Sequence, residues 1–152
     1  MAQKLLDIKQ KAIAMKKIVI FLIFAQFLFS CNTDENNDTN VNLRTKLVDY
    51  WEVNEQSQYF KRKSFYTVEI FKDENDSTKI HIDNFYNQGY GVSAYAFVND
   101  NYTINLPSQN LEGFIISGTG KISTNLKTIS WEYIANDGEG LIDSVKATYS
   151  RE

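Results

Sequence analysis

The sequence predicts an all-β domain, an antiparallel eight-stranded up-and-down β-barrel, behind an export signal and a polar tether. Three observations point there: apolar and polar residues alternate at period two from Lys46 onward, turn residues recur every ten or so positions, and no helical period interrupts the run. Short turns join neighbouring strands as antiparallel hairpins. Such strands can bury one face by closing into a barrel or by folding into a two-sheet β-sandwich. The hairpin succession favours the barrel, because a sandwich needs at least one long crossover connection. At 152 residues, 43% hydrophobic and 14% aromatic, the chain can bury one core.

The first element is residues 1–30, an export signal. Met15, Lys16 and Lys17 give a basic start, residues 18–28 an apolar stretch interrupted only by Gln26, and Ser30 a small residue before Cys31. The stretch is shorter than the roughly 20 residues that a membrane-spanning helix needs, so it reads as a removed signal. "MKKIVIFLIF" already forms a complete beginning, so residues 1–14 read as an upstream start-site extension or as a longer basic region of the same signal.

Cys31 follows as the only cysteine of the chain, which removes disulfide pairing within it. "LFSC" resembles the lipobox of bacterial lipoproteins, with Leu28 and Ser30 in the matching places and Phe29 bulkier than the usual occupant. The resemblance implies a diacylglyceryl group on the Cys31 thiol, cleavage before it, and acylation of the new amine. Acyl chains contribute about 0.8 kcal/mol per buried methylene, so they hold such a chain on a membrane. "CNTDENNDTN" resembles the surface-export signal of Bacteroidetes-type lipoproteins, with Asp34 and Glu35 as its acidic pair. That implies a lipid-anchored protein exposed on the outer membrane. Residues 31–45 lack the apolar content to repay ordering, so they read as a disordered tether spanning on the order of 20 Å.

The remaining stretch, 46–152, is the barrel domain. Of 16 basic and 19 acidic residues, five lysines and Asp7 precede Cys31, leaving a net charge of −7 beyond it. That balance argues against a nucleic-acid binder, which needs clustered positive charge. Strand-like runs cover residues 47–53, 65–71, 79–85, 91–98, 102–106, 114–122, 128–135 and 141–149. Tyr66, Val68 and Ile70 oppose Thr67 and Glu69, while Ile129, Trp131 and Tyr133 oppose Ser130 and Glu132, so each run has a wet and a dry face. "DENDS", "NQGYG", "NDN", "PSQNLEG", "STNLK" and "NDGEG" between them are loop chemistry.

The run from Lys79 to Tyr133 resembles the small lipocalin-like β-barrel lipoproteins of the same bacterial group. Asn84-Phe85 before a glycine turn, Pro107 with Gln109, Gly118 with Gly120, and Trp131 with Tyr133 carry the likeness. It implies a fold and an envelope location, and it carries over no catalytic residue.

Chemistry-bearing residues are sparse. His81 is the only histidine and sits on a wet face, so a Ser/His/Asp relay has one place to use and no second sign of it. Zinc needs three or four ligands, and one histidine beside a lipidated cysteine does not supply them. Asp73, Asn75 and Ser77 resemble the start of a calcium loop but lack its glycine and bidentate glutamate, which favours a solvated hairpin. Lys61, Arg62 and Lys63, between Tyr59, Phe60, Phe65 and Tyr66, read as the guard of an edge strand, with ring stacking on a sugar or single strand as the rival.

These readings lead to a non-catalytic binding module for a small apolar or glycan ligand, with Trp51, Tyr95 and Trp131 on inward faces as the ligand-contacting residues. The alternative is a filled barrel docking another envelope protein. Neither a metal nor a cofactor is expected beyond the lipid on Cys31, and the expected partners are the membrane, a small ligand or an envelope component.

Overall fold

The computed structural model describes residues 42–152. The expected signal peptide, Cys31, Asp34 and Glu35 lie outside the described residues. Asn42 caps a short helix, α1 (Leu43–Leu47), its side chain accepting from the Arg44 N–H at 3.1 Å. Leu47 is buried and Leu43 packs on the same core, the i, i+4 spacing of one helical face. Residues 42–45, expected in the tether, therefore begin the folded domain. A single turn is too short for periodicity to reveal. Among the described residues no helix is long and apolar enough to cross a membrane.

Eight strands follow: β1 (Asp49–Ser57), β2 (Arg62–Lys72), β3 (Lys79–Asp83), β4 (Ser93–Val98), β5 (Thr103–Leu111), β6 (Phe114–Ile122), β7 (Thr128–Asn136) and β8 (Ile142–Ser150). Each pairs antiparallel with the next, and β1 also pairs with β8, Val53 facing Tyr149. The sheet is thus a closed, eight-stranded up-and-down barrel of the lipocalin-like kind, and the sandwich is set aside. Closure also corrects the reading of Lys61 to Lys63, since a closed sheet has no edge strand to guard. Lys61 instead turns the β1–β2 hairpin with φ of 50°, and the Arg62 guanidinium lies 4.8 Å from the Phe60 ring centroid.

Two strands outrun their sequence boundaries. β1 continues to Ser57, and β5 continues through the expected loop "PSQNLEG" as far as Leu111. Pro107 is tolerated there because the β5–β6 register shifts between Leu106 and Gln109, where no ladder N–H is required. β4 and β5 pair directly only at Phe97 with Asn105 and Val98 with Ile104. Beyond that the Gln109 carboxamide stands in for a strand, accepting from the Tyr95 N–H at 2.8 Å and donating to the Tyr95 carbonyl at 2.7 Å. Glu112 and Gly113, with φ of 49° and 91°, close a two-residue hairpin into β6.

Inside, the alternation places large rings over small residues. A Cβ on Gly120 would lie 3.0 to 3.1 Å from the Trp131 ring, and one on Gly118 would lie 2.4 Å from both the Tyr133 Cβ and the Glu132 carbonyl. The Gly-Thr-Gly of β6 is therefore the hollow that takes the two interior aromatics of β7. Trp131, Tyr133, Tyr149 and Phe85 are all under 4% exposed and stack edge-on or tilted, with centroids 4.8 to 5.9 Å apart.

One end of the barrel is sealed by α1. The Arg44 Nη1 donates to the carbonyls of Asp73, Asp76 and Lys79, pinning the β2–β3 loop. Arg151 donates to the carbonyls of Leu126 at 3.1 Å and Lys46 at 2.6 Å, and its guanidinium sits 4.4 Å from the Trp51 ring centroid. That one side chain ties the β6–β7 turn, the end of α1 and the start of β1 together.

Candidate functional site at the barrel mouth

The opposite end is closed by the β3–β4 connection, residues 84–92, which folds a plug into the opening. Asn84, Tyr86 and Asn87 all have left-handed φ, at 61°, 56° and 55°. That conformation is strained for a ring as bulky as Tyr86, and it survives only where surrounding bonds enforce it. Here Asn84 Nδ2 donates to the Thr67 carbonyl at 2.8 Å and Asn84 Oδ1 accepts from the Gly89 N–H at 2.7 Å. The Tyr86 hydroxyl donates to Asp143 Oδ2 at 3.0 Å. Asp143 is fully buried, and its other oxygen accepts from the Tyr59 N–H at 3.0 Å, so this carboxylate latches two mouth loops onto β8. Burial and the Asp143 bond push the Tyr86 phenol above its ordinary value.

Beneath the plug lies a packed cluster of one acid and several phenols. Glu55, 4% exposed, accepts from the Tyr133 hydroxyl at 2.5 Å and from the Tyr66 hydroxyl on the same oxygen. Phe85 lies above, its ring 4.8 Å from that of Tyr133. The Tyr149 hydroxyl and Trp131 Nε1 are buried with no hydrogen-bond partner. A buried polar group left unpaired costs about 1–3 kcal/mol, so such groups are uncommon; among the described residues the other such atom is Arg44 Nε, at the sealed end. None of the ion pairs among the described residues includes Glu55.

Burial pushes the Glu55 carboxyl up; the phenols of Tyr133 and Tyr66 oppose this, Asp143 adds to it, and Arg62 opposes it weakly. Burial also raises the phenols of Tyr66, Tyr133 and Tyr149. A carboxyl whose folded value is raised gives its full stability below the unfolded value of about 4.3 and loses it as pH rises through the folded value. Glu55→Gln does not titrate. Its unfolding midpoint should therefore gain on that of the parent protein as pH rises from about 4 to 7, in denaturation series at matched ionic strength. A gap that is constant, or that narrows with pH, would contradict a raised Glu55.

The sequence-predicted ligand residues separate. Trp131 lies in the interior, 1% exposed, between Phe85 and Tyr149. Trp51 is interior as well, but at the sealed end, its Nε1 donating to the Leu47 carbonyl at 2.9 Å beneath Arg151. Tyr95 is a correction. Ala94, Ala96 and Val98 take the inward positions of β4, so Tyr95 stands outside opposite His81, with Lys79 6.0 Å from its ring centroid. Both phases of "SAYAFV" are apolar, and the small residues go inward because the rings of β1, β7 and β8 already fill the space.

His81 is also outside, stacked on Phe71 at 5.2 Å, with Nε2 2.8 Å from Asp73 Oδ2. Lys79 and His81 hold the Asp73 carboxyl well below its usual range, and the N–H groups of Asn75 and Asp76 bond its Oδ1. The "DENDS" loop thus spends its leading carboxylate on its own hairpin. Among the described residues no group of three His, Cys, Asp or Glu side chains could hold a metal ion.

Glu55, Tyr133, Asp143 and Tyr149 were not singled out in the sequence as a site, whereas "NFYNQGYG" offers Tyr86 with Tyr90 as a ligand rim and "QYFKRKSFY" offers Tyr66 as a stacking ring. One signal was present: Glu55 continues the dry phase of Trp51 and Val53, and Asp143 opens the dry phase of Val145, Ala147 and Tyr149. An acid in the dry phase of a strand is worth marking. The two carboxyls are buried at the plugged end of the barrel, where each accepts two hydrogen bonds. No protein-family model matches the chain, and no curated protein matches it.

Proposed function

We propose that the protein is a non-catalytic binding module, lipid-anchored through Cys31 at the outer-membrane surface, which takes a small ligand into a chamber that opens when the Phe85 and Tyr86 plug withdraws. The observation that carries this is the plug itself: a strained segment held to the barrel by the Tyr86 phenol and the Asn84 side chain over an interior holding two unpaired donors. Strain stored in a loop over a polar interior favours a closure that opens. The lipobox-like "LFSC" and the acidic pair Asp34 and Glu35 support the address, and the net charge of −7 beyond Cys31 keeps the domain clear of anionic surfaces. Trp131 forms a wall of the chamber, whereas Trp51 belongs to the seal at the far end.

Tyr86→Phe tests the latch. Losing one hydrogen bond of about 1 kcal/mol should leave the barrel folded while populating the open plug about fivefold more. Acrylamide quenching of Trp131 should rise accordingly. In a screen of medium-chain alcohols and short glycans read by Trp emission, hits should associate faster with the variant. Emission that ignores the whole screen in both proteins would sink the reading.

A second reading, docking of an envelope protein by a filled barrel, is favoured by Ile115, Ile134 and Ile142. They lie on the outer faces of β6, β7 and β8 at 44, 45 and 58% exposure. Contiguous exposed apolar residues of this kind mark interaction surfaces.

A further inference from the structure

The proposed chamber also carries information about the ligand's chemistry, and the inference below rests on that reading. Glu55 is a buried carboxyl whose hydrogen-bond partners are both phenols. Around it stand Tyr66, Tyr133 and Tyr149, with Trp131 against Tyr149 and with Phe85 against both Trp131 and Tyr133. Arg62, which acts on Glu55 less than burial, Tyr133, Tyr66 or Asp143 does, is exposed with its guanidinium over Phe60. A carboxylate kept in a low-dielectric interior without a cation is costly, and a cation placed beside it gains the full interaction. Aromatic faces attract cations too, most strongly where water is excluded.

We infer that the chamber takes a small organic ammonium ion with an apolar body, its nitrogen against Glu55 and its body where the Phe85 ring now sits. Phe85 acts as the resident stand-in. Its ring meets Trp131 edge-on at 5.9 Å and Tyr133 tilted at 4.8 Å, the contacts that an apolar ligand body would take over when the plug withdraws. The unpaired Tyr149 hydroxyl and Trp131 Nε1 suit a ligand that carries an oxygen near its amine. The net charge of −7 beyond Cys31 draws cations toward the domain and repels anions.

The test is a matched series, phenethylamine, phenethyl alcohol and phenylacetate, titrated calorimetrically into the full chain in neutral detergent near pH 7. The amine is expected to bind about 10- to 100-fold more tightly than the alcohol, with phenylacetate weakest. Glu55→Gln should bring the amine down to the affinity of the alcohol, and Phe85→Ala should tighten both. The parent series decides the question even if a variant fails to fold. If the alcohol matches the amine, or if Glu55→Gln keeps the preference, the ammonium assignment is overturned while the interior binding reading stands. If none of the three binds to the parent protein or to folded Phe85→Ala, both fall.

Discussion

Trp131→Ala is expected to destabilise the barrel by about 3–5 kcal/mol, the range for removing a fully enclosed large ring. The ring lies over Gly120, touches Phe85 on one side and Tyr149 on the other, and leaves 1% of its surface exposed. Neighbours held by a closed hydrogen-bond ladder collapse poorly into the space. In urea unfolding the midpoint should fall with little change in slope, and a loss under about 1 kcal/mol would show that the ring's surroundings are loose. Because Trp131 is a core residue, its alanine variant reports on stability first. Glu55→Gln and Tyr86→Phe are the better probes of binding.

The second large effect comes from one methyl group. Gly118→Ala should cost about 3 kcal/mol, the upper end of overpacking, because the added Cβ would fall 2.4 Å from the Glu132 carbonyl and the Tyr133 Cβ. Neither obstacle is the free end of a side chain. The β6–β7 ladder itself must shift. Gly120→Ala, by contrast, meets the Trp131 ring at 3.0 to 3.1 Å, and a ring can slide by a few tenths of an ångström, so its loss should be near 1 kcal/mol. Thermal unfolding of the two variants side by side checks the order. Equal losses would mean that the pairing of Gly118 with Tyr133 is not the tight point.

These effects show which parts of the fold were legible in the sequence. Period two and the turn residues located all eight strands, because each strand has one wet face and the connections are short. Closure followed from the hairpin succession. Strand ends were harder to place: Pro107 reads as a loop residue until the bulge beside it and the Gln109 carboxamide are seen to replace the missing ladder bonds. The buried acids were hidden for a different reason. Glu55 and Asp143 look like solvent-facing acids wherever alternation is judged by polarity alone, although each shares the period-two phase of the buried residues on its own strand. Tyr95 failed in the opposite sense, as an aromatic assumed to point inward that the crowded interior displaced outward.

The pairing of β1 with β8 reaches beyond architecture. Glu52 faces Ser150 and Val53 faces Tyr149, and Arg151 sits just past them as the tie between the helix and Trp51. The first strand therefore has no second neighbour until β8 has been synthesised. A growing chain can form hairpins but cannot close, and contacts of such long sequence separation form late. For a protein whose sequence resembles an exported lipoprotein, this timing is useful: a chain that cannot finish folding on the ribosome remains threadable. Once the last strand is free, two open edges become one continuous ladder, which removes the surfaces on which unfinished β-sheets aggregate.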